Sequence, residues 1–123
     1  MKELIYELQE EHAVILARLD EIDHAIRSGG QPDVPAYIAF FETFVEQRHH
    51  AKEEGQLFER MREDPFLNEV VGTLVDEHNE ARDMLRRMRS ALDPTALLSS
   101  YSENLRAHIA KEDGMIFESA LSR

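Results

Sequence analysis

The stretch His49-His50-Ala51-Lys52-Glu53-Glu54-Gly55-Gln56-Leu57-Phe58 returns near the C-terminus as His108-Ile109-Ala110-Lys111-Glu112-Asp113-Gly114-Met115-Ile116-Phe117. Both copies read His-x-x-Lys-Glu, then an acidic residue, a glycine and, two positions on, an apolar-Phe pair. On a helix, residues four apart lie one turn above each other on nearly the same face. Each copy can therefore aim an imidazole and a carboxylate at one point, as helical bundles do when they build carboxylate-bridged metal sites.

Glycine and proline divide the rest of the chain into four helical segments. The first runs from about Lys2 to Ser28 and stops at Gly29-Gly30, a helix C-terminal signal. Its stripe is Ile5, Leu8, His12, Ile15, Leu19, Ile22 and Ile26, an unbroken 3-4 alternation. Asp33-Val34-Pro35 opens the second helix, with Asp33 as N-cap. There Ile38, Phe41, Val45, His49, Glu53, Leu57 and Met61 slip to successive fours. Each step of four drifts by about 40° on an α-helix, so this stripe is expected to wind around the helix. Asp64-Pro65 starts the third helix, with Leu67, Val71, Leu74, His78, Ala81, Leu85, Met88 and Leu92. Asp93-Pro94 starts the fourth, with Leu98, Tyr101, Leu105, His108, Glu112, Met115 and Ser119. Strand signals are absent, and four amphipathic helices with short connections predict an all-α, up-down-up-down four-helix bundle.

The stripes are interrupted by one histidine per helix, His12, His49, His78 and His108, and by Glu53 and Glu112. A buried carboxylate without a countercharge costs several kcal/mol, so the fold must supply a partner. Taking about 1.5 Å of rise per residue, all six residues come out at about 15–21 Å along their helices, in one layer. His24 falls off the stripe and reads as surface. His50 offers a competing frame, His50-x-x-x-Glu54, but the second copy places His108 opposite His49 and Ile109 opposite His50. His50 lies about 100° around the helix from His49, where it either completes the site from its edge or packs half-buried. Glu54 and Asp113 read as solvated, and Tyr101 as packing or hydrogen-bonding near the site. Gly55 and Gly114 each cost about 1 kcal/mol inside a helix relative to alanine, which a close backbone approach would justify.

The chain has 123 residues, 42% hydrophobic and 32% charged, which fits a globular protein with one core. It has no cysteine, so disulfides, thiolate zinc sites and cysteine nucleophiles are excluded. A formal net charge of −11 argues against nucleic acid and anionic membranes as partners. No apolar run spans a bilayer and no signal-peptide core is present, so a cytoplasmic protein is expected. Imidazole and carboxylate without thiolate suit iron, manganese or zinc. Six or seven ligands exceed one tetrahedral zinc and suit two ions, with Glu53 and Glu112 as bridges.

The ordered set Glu11-His12, His49-x-x-x-Glu53, Glu77-His78 and His108-x-x-x-Glu112 resembles the hemerythrin-like family, the HHE cation-binding domain, over essentially the whole chain. Residues 1–123 are accordingly read as a single domain of that kind. The resemblance implies a non-haem centre of two iron ions (Fe2+/Fe3+), oxo- or hydroxo-bridged, that binds dioxygen or reacts with peroxide or nitric oxide. The expected metal ligands are His12, His49, His50, Glu53, His78, His108 and Glu112. Oxygen-carrying relatives place two histidines four apart on the third helix, whereas here Leu74 precedes His78. His50 is the first candidate for the missing ligand, and reversible oxygen carriage is the less favoured activity. The alternatives are an iron- or redox-dependent sensing module and a structural metal-binding bundle; the sequence names no protein partner.

Overall fold

The computed structural model describes residues 1–122 and contains no strand among them. Helix α1 spans Lys2–Arg27. Helix α2 runs continuously over residues 34–61, α3 spans Pro65–Ser90, and α4 runs over residues 95–121. Short connections return each helix antiparallel to the one before it, giving the expected up-down-up-down bundle.

The chain ends its helices as the punctuation predicts. Gly29 takes φ +77°, the left-handed conformation that only glycine adopts at little cost. With it, the Gly30 N–H reaches Ala25 O at 2.8 Å and the Gly29 N–H reaches Ile26 O at 3.2 Å, a Schellman motif. Asp33 caps α2 by accepting from the Ala36 N–H at 3.2 Å. Asp64 caps α3 by accepting from Phe66 N–H at 2.9 Å. Asp93 accepts from Thr95 N–H at 3.1 Å, although Pro94 occupies the cap position itself.

Two helices depart from α geometry. In α2 the segments Phe41–His50 and Glu53–Leu57 are π-helical, and in α4 so is Glu112–Phe117. A π turn closes i→i+5 bonds and so holds more than 3.6 residues. In α2 this removes the drift expected from the fours: Phe41, Val45, His49, Glu53, Leu57 and Met61 are all buried, so the stripe stays straight instead of winding. In α4 the wide turn shifts the register past Glu112. Ile116, Phe117 and Ala120 are buried, while Met115, expected in the stripe, is 37% exposed and Ser119 only half-buried. Leu92 also leaves its expected stripe, because α3 ends at Ser90 and the chain turns extended at Ala91. Gly55 and Gly114 lie in these π segments, and a Cβ at either would meet nothing within 4 Å, so no close backbone approach explains them.

The apolar core is split. One cluster, with Ile15, Leu19, Phe41, Val45, Leu85, Leu98 and Tyr101, fills the end of the bundle nearest the α1–α2 and α3–α4 connections. The other, with Ile5, Leu8, Leu57, Phe58, Leu67, Leu74, Ile116 and Phe117, fills the opposite end. Each fully buried Leu, Ile or Phe contributes about 1.5–3 kcal/mol. Between the clusters lies a buried polar layer: Glu11, His12, His49, His50, Glu53, His78, His108 and Glu112. The two apolar ends offset the desolvation cost of the layer they enclose.

Candidate metal centre

Every residue of that layer is delivered by the helical register just described. His12 comes from α1, His49, His50 and Glu53 from α2, His78 from α3, and His108 and Glu112 from α4. All seven sequence-proposed ligands are at most 4% exposed and converge, whereas His24 is exposed on the outside of α1. They form two groups whose donor atoms all lie within 4.8 Å of one another: His12, His49, Glu53 and Glu112, and His50, Glu53, His78 and His108.

Glu53 belongs to both groups, and Glu112, a member of the first, also reaches His108 of the second. Glu53 Oε2 is 3.3 Å from His49 Nε2, and its Oε1 is 3.3 Å from His78 Nε2. Glu112 Oε1 is 3.1 Å from His12 Nε2, and its Oε2 is 3.3 Å from His108 Nε2. Adjacent on α2, His49 and His50 straddle the layer and serve different groups. The His50 ring stacks on that of His78 with centroids 3.6 Å apart.

The Nδ1 atoms face outward to carboxylates. His49 meets Glu11 at 2.9 Å, His108 meets Glu77 at 2.8 Å, His78 meets Glu54 at 2.7 Å, and His12 meets Asp113 at 2.9 Å. His50 meets Glu46 at 2.8 Å. Donation from each Nδ1–H to a carboxylate fixes the tautomer that leaves Nε2 bare toward the centre. Cations hold the carboxylates in turn: Lys52 and Arg48 on Glu11, Arg82 on Glu46 and Glu54, and Lys111 on Glu77.

This outer shell repeats as the sequence repeats. The contacts Glu11–His49, Lys52–Glu11 and Glu54–His78 have as counterparts Glu77–His108, Lys111–Glu77 and Asp113–His12. His50 with Glu46 and Arg82 breaks the symmetry, since Ile109 occupies the equivalent of His50 and is buried as an apolar residue. Glu54 and Asp113 are thus not simply solvated: their side chains are 31% and 44% exposed, but each orients a ring. The roles of Glu11 and Glu77 were not assigned from sequence. The signal available was the lysine inside each His-x-x-Lys-Glu copy, which needs an acid on the neighbouring helix.

Several atoms of the layer find no partner. His49 Nε2, His50 Nε2, both oxygens of Glu53 and Glu112 Oε2 are buried without a hydrogen bond. Leaving such a group unsatisfied costs about 1–3 kcal/mol. His78 Nε2 and His108 Nε2 are 3.0 Å apart, and with both Nδ1 atoms donating outward two lone pairs would face each other. A cation removes both conflicts, so the residues present fit a bound metal.

The electrostatics of the layer point the same way. Burial and the Glu112 charge push Glu53 well above the carboxylate range. Against the penalty of burial, the adjacent His108 imidazole and the hydrogen bond from His12 hold Glu112 well below it. Burial also opposes charge on His12, yet Asp113 and Glu112 raise it to about 9. His108 is likewise raised, against burial, by Glu112 and Glu77. Burial and the neighbouring His12 lower His49 to about 4, and burial with His78 and His108 lowers His50 well below its ordinary value. Without metal, then, the layer favours protons on His12 and Glu53, where cations would stand.

No helix is long and apolar enough to cross a membrane among the described residues. Comparison with curated proteins and with solved structures returned no match. The family model for the Hemerythrin HHE cation binding domain matches residues 3–120, nearly the whole chain. With four antiparallel helices and a buried His/Glu layer within the matched residues, the chain belongs to the Hemerythrin HHE cation binding domain family.

Proposed function

We propose that the layer holds two iron ions, one in each donor group, and that this centre binds or reacts with dioxygen, peroxide or nitric oxide. The observation that carries the reading is Glu53, which belongs to both donor groups, has one oxygen toward each, and is fully buried with neither oxygen hydrogen-bonded. The proposed ligands are His12 and His49 on one side, His50, His78 and His108 on the other, with Glu53 and Glu112 shared. Iron bound there would supply redox chemistry toward a small oxygen-bearing or nitrogen-bearing ligand.

The chain's own residues prepare that chemistry. Five outer carboxylates fix the imidazole tautomers and raise their basicity toward the centre. Lys52, Arg48, Arg82 and Lys111 anchor four of these carboxylates, so the rings are aimed before an ion binds. The two flanking apolar clusters exclude bulk water from the layer.

Metal content per chain and the near-ultraviolet and visible spectrum of aerobically purified protein test the reading. Two irons per chain with ligand-to-metal charge-transfer absorption are expected. Zinc, or no metal after expression with ample iron, would refute it in favour of a structural bundle.

A further inference from the structure

Met84 sits in the apolar cluster beside the polar layer, not in the layer itself, and is 5% exposed. A leucine like its neighbours Leu85 and Leu105 would fill that place, but a leucine accepts no hydrogen bond. The thioether does: the Asn104 side-chain amide on α4 donates to Met84 Sδ at 3.5 Å. Asn104 is exposed, so this contact brings the sulfur beside a solvated polar group instead of into the depth of the core. Met84 and Asn104 both line a cavity of about 150 Å³ between α3 and α4, whose rim also carries the exposed Glu80 and Ala107. About 10–15 Å³ of such space holds a water, so the cavity admits molecules of two or three heavy atoms. Methionine sulfur is soft and polarizable, and access to oxidant decides which methionine in a fold is oxidised. Met61, at the other end of the bundle, is fully buried, whereas Met1 and Met115 are each 37% exposed.

We propose that Met84 is an oxidation site for hydrogen peroxide, and that Asn104 is placed to hold the sulfoxide that forms. A sulfur lone pair attacks one peroxide oxygen, and the S–O bond forms as the O–O bond breaks. The thioether is oxidised by two electrons and the peroxide is reduced. The departing oxygen takes the proton of the transferred hydroxyl and leaves as water. The Asn104 amide that already faces Sδ then donates to the sulfoxide oxygen, a stronger acceptor than a thioether. No metal ion and no residue of the polar layer takes part, so the inference stands apart from the function proposed above.

The test treats the full chain with hydrogen peroxide, as purified and again after chelation, and maps the gain of one oxygen at each methionine by peptide mass spectrometry. Met84 sulfoxide should form at least about tenfold faster than Met61 sulfoxide and within about tenfold of Met115 sulfoxide. Equal rates at Met84 and Met61 would overturn the site, because both would then report unfolding of the chain. Oxidation of Met84 in the unchelated sample alone would also overturn it, by assigning the oxygen to metal-driven radicals. Ala107→Phe at the exposed rim should slow oxidation of Met84 by about threefold or more and leave Met115 unchanged; an unchanged rate at Met84 would overturn the cavity as the route. Asn104→Ala tests the hold on the product. Its fall in Tm on oxidation should exceed that of the parent by about 3–5 °C, the worth of one hydrogen bond. An equal fall would overturn the role of Asn104.

Discussion

Glu53→Met should change protein stability in opposite directions with and without metal. Methionine nearly conserves volume, so the repacking cost is below about 1.5 kcal/mol. In the metal-free protein the substitution removes a fully buried carboxyl whose two oxygens have no hydrogen bond. Relieving such a group is worth about 1–3 kcal/mol. The two effects sum to about −0.5 to +3 kcal/mol, so the metal-free variant should melt between about 2 °C below and about 15 °C above the parent, at roughly 3–5 °C per kcal/mol for a chain of this size. With metal the sign reverses. Each ion held at 100 times its Kd stabilises the folded state by about 2.7 kcal/mol, so two ions give about twice that. Glu53 contributes to both donor groups, and its loss should remove most of this gain. The assay is thermal melting by circular dichroism, in chelator and in anaerobic ferrous iron, with metal content after desalting. A variant destabilised equally under both conditions, or one that retains two ions, would refute the assignment of Glu53 as the shared ligand.

Four further outcomes are expected. His50→Ile, which copies Ile109 of the other half, should loosen one ion and leave the other, so that metal content after dialysis falls toward one per chain; loss of both or neither would contradict the split into two groups. Glu11→Gln should weaken metal binding by about 10–100-fold by releasing the His49 ring, while His24→Ala leaves it unchanged, as read by competition with a chelator. Metal loading should release protons, since His12 and Glu53 favour the protonated form without metal; affinity should rise with pH, and calorimetry in two buffers of different ionisation enthalpy should detect the release. In the metal-free protein, the hydrogen bond from His78 holds Glu54 down to about 2 from an ordinary 4.5, against burial and with help from Arg82. A depressed carboxylate stabilises the fold above its unfolded value, so this contribution should be complete above pH 4.5 and fade as pH falls toward 2, an effect absent in Glu54→Gln.

Much of this protein was legible in one dimension. Helix ends were set by local chemistry: the left-handed Gly29 and the capping carboxylates of Asp33 and Asp64 act within a few residues, so sequence alone placed them. The polar layer was legible too, because His12, His49, His78 and His108 interrupt stripes that burial otherwise keeps apolar, and helix rise converts their positions into a common height. The spacing of fours in α2 was visible, but its consequence was not. Only packing against the other helices made π turns worth their poorer geometry, and those turns straightened one stripe and shifted Ile116 and Ala120 inward in α4. His50 illustrates the same limit: periodicity put it at an edge, and its neighbours on α3 and α4 turned that edge into the interior. The outer carboxylates lay furthest from sequence reasoning. Pairs such as His12 with Asp113 and His108 with Glu77 join residues far apart in the chain, and helical spacing constrains neighbours one turn away but not partners across a bundle. Local chemistry determined where the helices start and stop and which residues face inward; tertiary packing decided which of those residues meet.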